Sequence, residues 1–268
     1  MLNNEGPMAN RVAMGVEYDG SAFCGWQTQR GVPTVQQAVE AALTKVAASP
    51  ISVICAGRTD TGVHAAEQVV HFETAVQRDN RAWVFGANRF LPDQVSVLWA
   101  TPVTHDFHAR FSAVRRRYQY IIFNRAIRPT YLQKRVTWIA RPLDVQRMAQ
   151  AACDLMGEHD FSSYRAVACQ AKTPVRQVYA LSVQRFGSYL SIDIEANAFL
   201  QHMVRNIAGV LIDIGCGKQP PEWAKIVLEQ RDRTQGGVTA LPHGLYLQQV
   251  SYPDKFSLPQ LSPSNAVW

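Results

Sequence analysis

Val53-Ile54-Cys55-Ala56-Gly57-Arg58-Thr59-Asp60-Thr61-Gly62-Val63-His64-Ala65 runs from four apolar residues into a polar loop that carries two glycines. Val and Ile favour a pleated, half-buried surface, so residues 53–56 predict a strand. Gly57 and Gly62 are expected to relieve the steric limit on backbone angles and bound the loop. Arg58 and Asp60 then stand where the strand meets solvent. A carboxylate two residues from a guanidinium, on a loop bounded by glycines, can be kept ionised and aimed, because a nearby positive charge favours the charged form, and that is the chemistry of a nucleophile. The same residues also describe a plain turn in which Asp60 caps nearby amides and Arg58 is solvated, and the motif alone favours that reading.

Upstream of this stretch, Val12, Met14, Val16 and Tyr18 alternate with other residues from Arg11 to Tyr18 and predict a strand. Trp26, in the loop Ser21 to Arg30, reads as a core anchor because tryptophan buries a large area. Thr34 is the expected N-cap of a helix reaching about Ala48, with Val35, Ala38, Val39, Ala42, Leu43 and Val46 at helical spacing. Downstream come a strand at Val69 to Glu73, a helix at Asn80 to Phe90 and a strand at Val95 to Ala100, giving the order β-α-β-β-α-β. The second half repeats that order. Strands are predicted at Arg117 to Phe123, Arg176 to Arg185, Tyr189 to Glu195 and Leu245 to Ser251, and helices at Asp144 to Met156 and Phe199 to Ile214. Two split β-α-β units are implied. A helix at Pro221 to Gln230 and a loop at Arg231 to Gly244 read as insertions. The boundaries drawn are a loose terminus 1–10, halves 11–112 and 113–252, and a peripheral tail 253–268.

The chain has 268 residues, 47% of them hydrophobic, enough to fill a substantial core. It has no run of about 18 apolar residues, and Met1 to Ala9 lacks the charged-then-apolar pattern of a signal peptide, so a soluble cytoplasmic protein is expected. Five scattered cysteines, Cys24, Cys55, Cys153, Cys169 and Cys216, form no C-x-x-C pair, which argues against disulfides and a zinc site. His105 and His108 have a spacing metals can use but no nearby thiolates, and read as surface histidines; no metal is expected. Gly215-Cys216-Gly217 and Gly236-Gly237 do not fit a phosphate loop or dinucleotide fingerprint, so no nucleotide cofactor is expected.

The net charge of +6 is unevenly placed: eight Arg and one Lys, with no Asp or Glu, fall between Phe107 and Leu143. Phe161 to Ile192 is likewise free of acids and carries Arg165, Lys172, Arg176 and Arg185. Arginine's planar fork suits phosphate oxygens, and a strip without acids predicts binding to a phosphate backbone. Within Arg115-Arg116-Arg117-Tyr118-Gln119-Tyr120, strand alternation puts Tyr118 and Tyr120 on one face. In the helix, Leu200, Met203, Val204, Ile207, Ala208 and Leu211 form an apolar stripe that leaves His202, Arg205 and Gly209 on another face, so the pattern alone makes Arg205 a solvated arginine and Tyr118 a core residue.

Five separated stretches agree in order and spacing with one family: Gly20-Ser-Ala-Phe-Cys-Gly-Trp-Gln-Thr-Gln29, the Gly57 to Ala65 loop, Arg115 to Asn124, Asn197 to Gly209 and His243 to Tyr252. On these residues the chain, from about Val12 to Tyr252, resembles the tRNA pseudouridine synthase A family. The resemblance implies two ferredoxin-like α/β halves joined into one long, mostly antiparallel curved sheet with a basic central cleft. It implies a cytoplasmic homodimer that needs no cofactor and isomerises uridines 38 to 40 in the anticodon stem-loop of tRNA. Carried over by position, Asp60 is the nucleophile, Tyr118 faces the flipped base and Arg205 pairs with the aspartate. Arg58, Arg78, Phe107, His108, Ala109, Arg110 and Phe111, with Ala168, Cys169, Gln170, Ala171 and Lys172, are the expected RNA contacts. One residue departs from the family pattern, Thr61 where Ala is usual. The rival readings are a non-catalytic RNA-binding protein or chaperone on the same fold, and a retaining glycosidase, which would need a second carboxylate.

Overall fold

A computed structural model of the chain describes residues 10–261. These separate into two compact units, one formed by residues 10–114 and 248–261 and the other by residues 115–247. Both carry antiparallel sheets with helices, the mixed α/β class that the element order predicts.

In the first unit, β1 (Asn10–Tyr18) is flanked by β3 (His64–Thr74) and β4 (Val95–Val103), both antiparallel to it. Between the alternating apolar residues, Ala13 is as fully buried as Met14 and Val16, so both faces of the strand are covered. Helices α1 (Val35–Ala47) and α2 (Asn80–Phe90) pack together. Trp83 of α2 meets Phe72 of β3 edge to face at 5.1 Å. Asp79 caps α2 by accepting from the Ala82 amide, whereas Thr34 makes no side-chain cap to α1 and bonds Gln37 instead.

The strand expected at 53–56 shrinks to the two residues of β2 (Ile54–Cys55), paired with His71 and Val70 of β3. β3 is correspondingly longer than its Val69 to Glu73 core and starts inside the motif, at His64. Residues beyond Tyr252, expected as a tail, begin with a short 3₁₀ turn, Asp254–Phe256, whose Phe256 ring is buried edge to face on Phe107 at 5.1 Å. The remainder, 262–268, and residues 1–9 of the N-terminal segment lie outside the described residues.

In the second unit, β5 (Arg115–Asn124), β9 (Tyr189–Ala196), β8 (Val175–Phe186) and β7 (Gly157–Asp160) form successive antiparallel pairs, and β6 (Thr137–Ile139) lies parallel to β5. Neither β6 nor β7 was expected. α3 (Val145–Cys153) and α4 (Met203–Gly215) pack together so closely that a methyl on Gly215 would stand 2.7 Å from the Met148 sulfur. α4 begins four residues later than its apolar spacing suggests, because His202 adopts a left-handed backbone at φ +63°. α5 (Trp223–Gln230) follows, and β10 (Leu245–Ser251) then runs out of the second unit into the first at Leu247.

Candidate active site

The motif loop, residues 56–63, is held at both ends and across its middle. Ala56 donates its amide to the Val69 carbonyl at 2.8 Å, and the Gln68 side chain bonds Gly57 both ways, donating to its carbonyl at 2.6 Å. Trp26, fully buried, donates its backbone amide to the Thr59 carbonyl at 3.0 Å. The buried Thr59 hydroxyl shares a 2.8 Å hydrogen bond with Tyr18, and the Val63 amide closes a turn on the Asp60 carbonyl at 3.1 Å. Trp26 is thus core, as its size suggests, and it also carries the wall of the loop.

Glycines explain how these segments approach. Gly25, at φ +87°, would place a methyl 2.8 Å from the Thr59 carbonyl oxygen, and a methyl on Gly20 would fall 1.9 Å from that of Val63. Gly62 takes φ +78°, as a bounded turn requires. Gly57 does not: its φ is not positive and a methyl there meets nothing within 4 Å, so the expected steric relief is absent. Behind the loop, His64 Nδ1 lies 3.2 Å from Asp19 Oδ1 and 3.1 Å from the Gly20 amide. The histidine beside it, helped by the Ser21 amide against the pull of burial, holds the Asp19 carboxyl well below the usual range.

Asp60 is half-buried at the tip of this frame and Arg58 is exposed beside it. A carboxylate on a loop tied at residues 56, 57, 59 and 63 is aimed before any ligand arrives. Thr61 is exposed, so its extra atoms displace nothing in the core.

Tyr118 and Arg205 belong to the second unit. Tyr118 is buried, with Phe199 edge-on at 5.0 Å. Tyr120, on the same strand face, is locked: its hydroxyl donates to the Leu241 carbonyl at 2.8 Å and lies 2.6 Å from the Thr137 hydroxyl. Burial pushes that phenol far above its ordinary range, against the milder pull of the Thr137 bond and the Arg205 charge.

Arg205 is not the solvated arginine of the helical pattern. It is half-buried, its Nε donates to the Ala240 carbonyl at 2.9 Å, and its own carbonyl accepts from the Ala240 amide at 3.1 Å. Residues 237–240 cover that side of α4 at Arg205 and at Gly209, where a methyl would sit 2.0 Å from the Val238 carbonyl oxygen. Neither the Ala240 clasp nor its supports were anticipated. A glycine inside a helical run was the one signal of close approach by another backbone.

The expected RNA contacts divide by exposure. Phe107 and Ala109 are fully buried and anchor their segment, Phe107 against His71, Tyr252 and Phe256. Burial removes that ring and that methyl as contacts for a ligand. Arg110 and Phe111 are exposed, the guanidinium 5.5 Å from the ring and the ring stacked on His108 at 4.3 Å. Arg58 and Arg78 are exposed in the first unit; in the second, Ala168, Gln170 and Lys172 are exposed while Cys169 and Ala171 are half-buried.

The acid-free strip is less positive in space than along the chain. Arg115 pairs with Glu195 at 2.7 Å and Arg117 with Asp193 at 3.2 Å, both acids coming from β9, and Arg116 donates to the Asn197 carbonyl at 2.8 Å. Arg176 and Arg185 in the second interval donate to the backbone carbonyls of Thr173 and Leu143. Among the described residues no three His, Cys, Asp or Glu side chains converge as a metal site.

A family model described as tRNA pseudouridine synthase matches residues 14–112 and 151–253, which include Asp60 and Arg205 and leave Tyr118 between the two blocks. A tRNA pseudouridine synthase A of Nitrosococcus oceani is 60% identical over 258 residues, 96% of this chain and 100% of its own. Those of Pseudomonas aeruginosa and Coxiella burnetii are 58% and 55% identical, each over 94% of this chain and over 88% and 96% of their own.

Proposed function

Because the chain belongs to the tRNA pseudouridine synthase family, we propose that it acts on uridines 38 to 40 of the tRNA anticodon stem-loop with Asp60 as its nucleophile. The reaction itself is an isomerisation of uridine to pseudouridine in tRNA. The N1 to C1′ glycosidic bond breaks, the base turns, and C5 joins C1′. The hydrogen on C5 leaves as a proton and N1 gains one, so atoms and electrons balance without a redox partner.

The observation that carries the nucleophile is the construction of the motif loop. Four tethers hold an acid at a half-exposed tip, which is more framework than a solvent turn needs. An ionised carboxylate is the starting species whether it adds to C1′ of the ribose or to C6 of the base. In this reading Arg205 supplies the paired guanidinium and Tyr118 the ring against the flipped base, both on the strength of the motif match. Flipping costs roughly a few kcal/mol, least in a loop or at its closing pairs, which favours a stem-loop target. Recognition is then by shape and backbone, through Arg58, Arg78, Arg110 and Lys172, in a homodimer. A non-catalytic RNA binder would have no use for the tethered acid, and a retaining glycosidase would need a second carboxylate about 5–5.5 Å from it.

Anticodon stem-loops carrying a single uridine at 38, 39, 40 or a control position test the target. Carbodiimide-dependent stops of reverse transcription are expected only at the first three, and equal modification of the controls would overturn the assignment.

A further inference from the structure

Arg233 lies in a short 3₁₀ turn, Arg233–Gln235, outside the stretches that carry the family resemblance. Its Nη2 nonetheless reaches three acceptors, the Gly237 carbonyl at 3.0 Å, the Thr239 hydroxyl at 2.9 Å and the Asn206 side-chain oxygen at 3.1 Å. Asn206, 2% exposed, is the residue after Arg205 on α4. Its oxygen also accepts from the Thr239 hydroxyl at 2.7 Å, and its NH2 donates to the Tyr164 carbonyl at 2.7 Å, so the amide is engaged at both ends. Residues 237–239 are thereby fastened to the helix at Asn206. Gly237 lies 3.3 Å, measured from a methyl built on it, from the backbone of Gly209 and Val210, and Val238 covers Gly209. The next residue is Ala240, whose carbonyl takes the Arg205 Nε–H.

We propose that Arg233, through Asn206 and Thr239, is the positioning residue that fixes the guanidinium plane of Arg205. The inference rests on the role given to Arg205 above. A guanidinium on a flexible stem has many rotamers, and a bond from Nε to a fixed carbonyl selects one plane for the whole fork. That carbonyl is only as fixed as the loop carrying it. The half-buried Arg233 holds three loop and helix acceptors with one guanidinium, and a connected polar network of this kind holds one geometry. Removing it leaves the Asn206 oxygen and the 237–240 loop loosely held and turns Arg205 off its plane. A shift of the order of an ångström in a catalytic contact costs about a hundredfold in rate.

Single-turnover rates and tRNA dissociation constants of the full-length protein test this in a double-mutant cycle with Arg233→Ala and Arg205→Lys, since lysine has neither the Nε–H nor a plane to be set. Arg233→Ala should lower the rate about a hundredfold with tRNA affinity within about twofold, and should lower it less than about threefold further when Arg205 is already lysine. Equal losses in both backgrounds would show that the network only supports the fold, and an unchanged rate in Arg233→Ala would also overturn the proposal. A fully active Arg205→Lys would instead remove the role of Arg205 itself, a result visible in that single variant. Should Arg233→Ala fail to fold, Thr239→Val, which deletes one hydroxyl at nearly constant volume, goes through the same cycle and decides by the same two outcomes.

Discussion

A methyl group placed on Gly57 meets nothing within 4 Å, whereas Gly62, five residues on, holds φ at +78°. The two glycines look alike in the sequence, and only the backbone separates them. Gly57→Ala should be neutral or stabilise by about 0.4–1 kcal/mol, because alanine restricts the unfolded chain and strains nothing in the folded one. Gly62→Ala should cost about 1–2 kcal/mol, the penalty of a Cβ in the left-handed region. Urea denaturation of both variants checks the pair, and a costly Gly57→Ala would contradict the loop geometry. Residue identity made Trp26 legible as core and Asp60 as the distinctive acid. Beyond Gly209 inside the helix, it did not foretell that Arg205 is clasped by Ala240, since that bond joins residues 35 apart through a loop with no regular pattern.

Elements were legible where they were long and periodic. α2 and β10 lie at the bounds their patterns predict, Asn80–Phe90 and Leu245–Ser251. β6, Thr-Trp-Ile, has the propensity of a strand but is too short to show a period, and β7 reads Gly-Glu-His-Asp, which forms by pairing with β8 rather than from propensity. The segment 107–111 shows how a neighbour also fixes a loop. The Ala109 amide donates to His71 Nδ1 of β3 at 3.1 Å and the Ala109 carbonyl accepts from the Tyr252 hydroxyl at 2.6 Å, so Phe107 goes inward and Arg110 outward.

Burial, then the His108 and Arg11 charges, push His71 down to about 4. An unfolded histidine titrates near 6.5, so below that pH the unfolded chain takes a proton that the folded chain refuses. The first unit should therefore lose stability as pH falls from about 6.5 to about 4, by at most about 1.4 kcal/mol per pH unit from this group. His71→Asn keeps an acceptor for the Ala109 amide and removes the titration. Denaturation at pH 7 and pH 5 should show a smaller loss in the variant than in the parent, and equal losses would place the acid sensitivity elsewhere.

For the molecule as a whole, fold class followed from the twice-repeated element order, and the family from five motifs that span both units. Charge was the least faithful guide: β9 brings Asp193 and Glu195 onto a segment of β5 that has no acids of its own, so a count along the chain overstates the positive surface. The central claim joins these scales, that this chain isomerises uridine in tRNA through the carboxylate of Asp60. Forming the C5 to C1′ bond must expel the C5 hydrogen, so tRNA labelled there with tritium reports the reaction directly. The parent should release label into water with no added metal, nucleotide or reductant. Asp60→Asn, nearly isosteric but neutral and a poor nucleophile, should release none while still binding tRNA and melting within a few degrees of the parent. Release from Asp60→Asn at the parental rate would contradict the account.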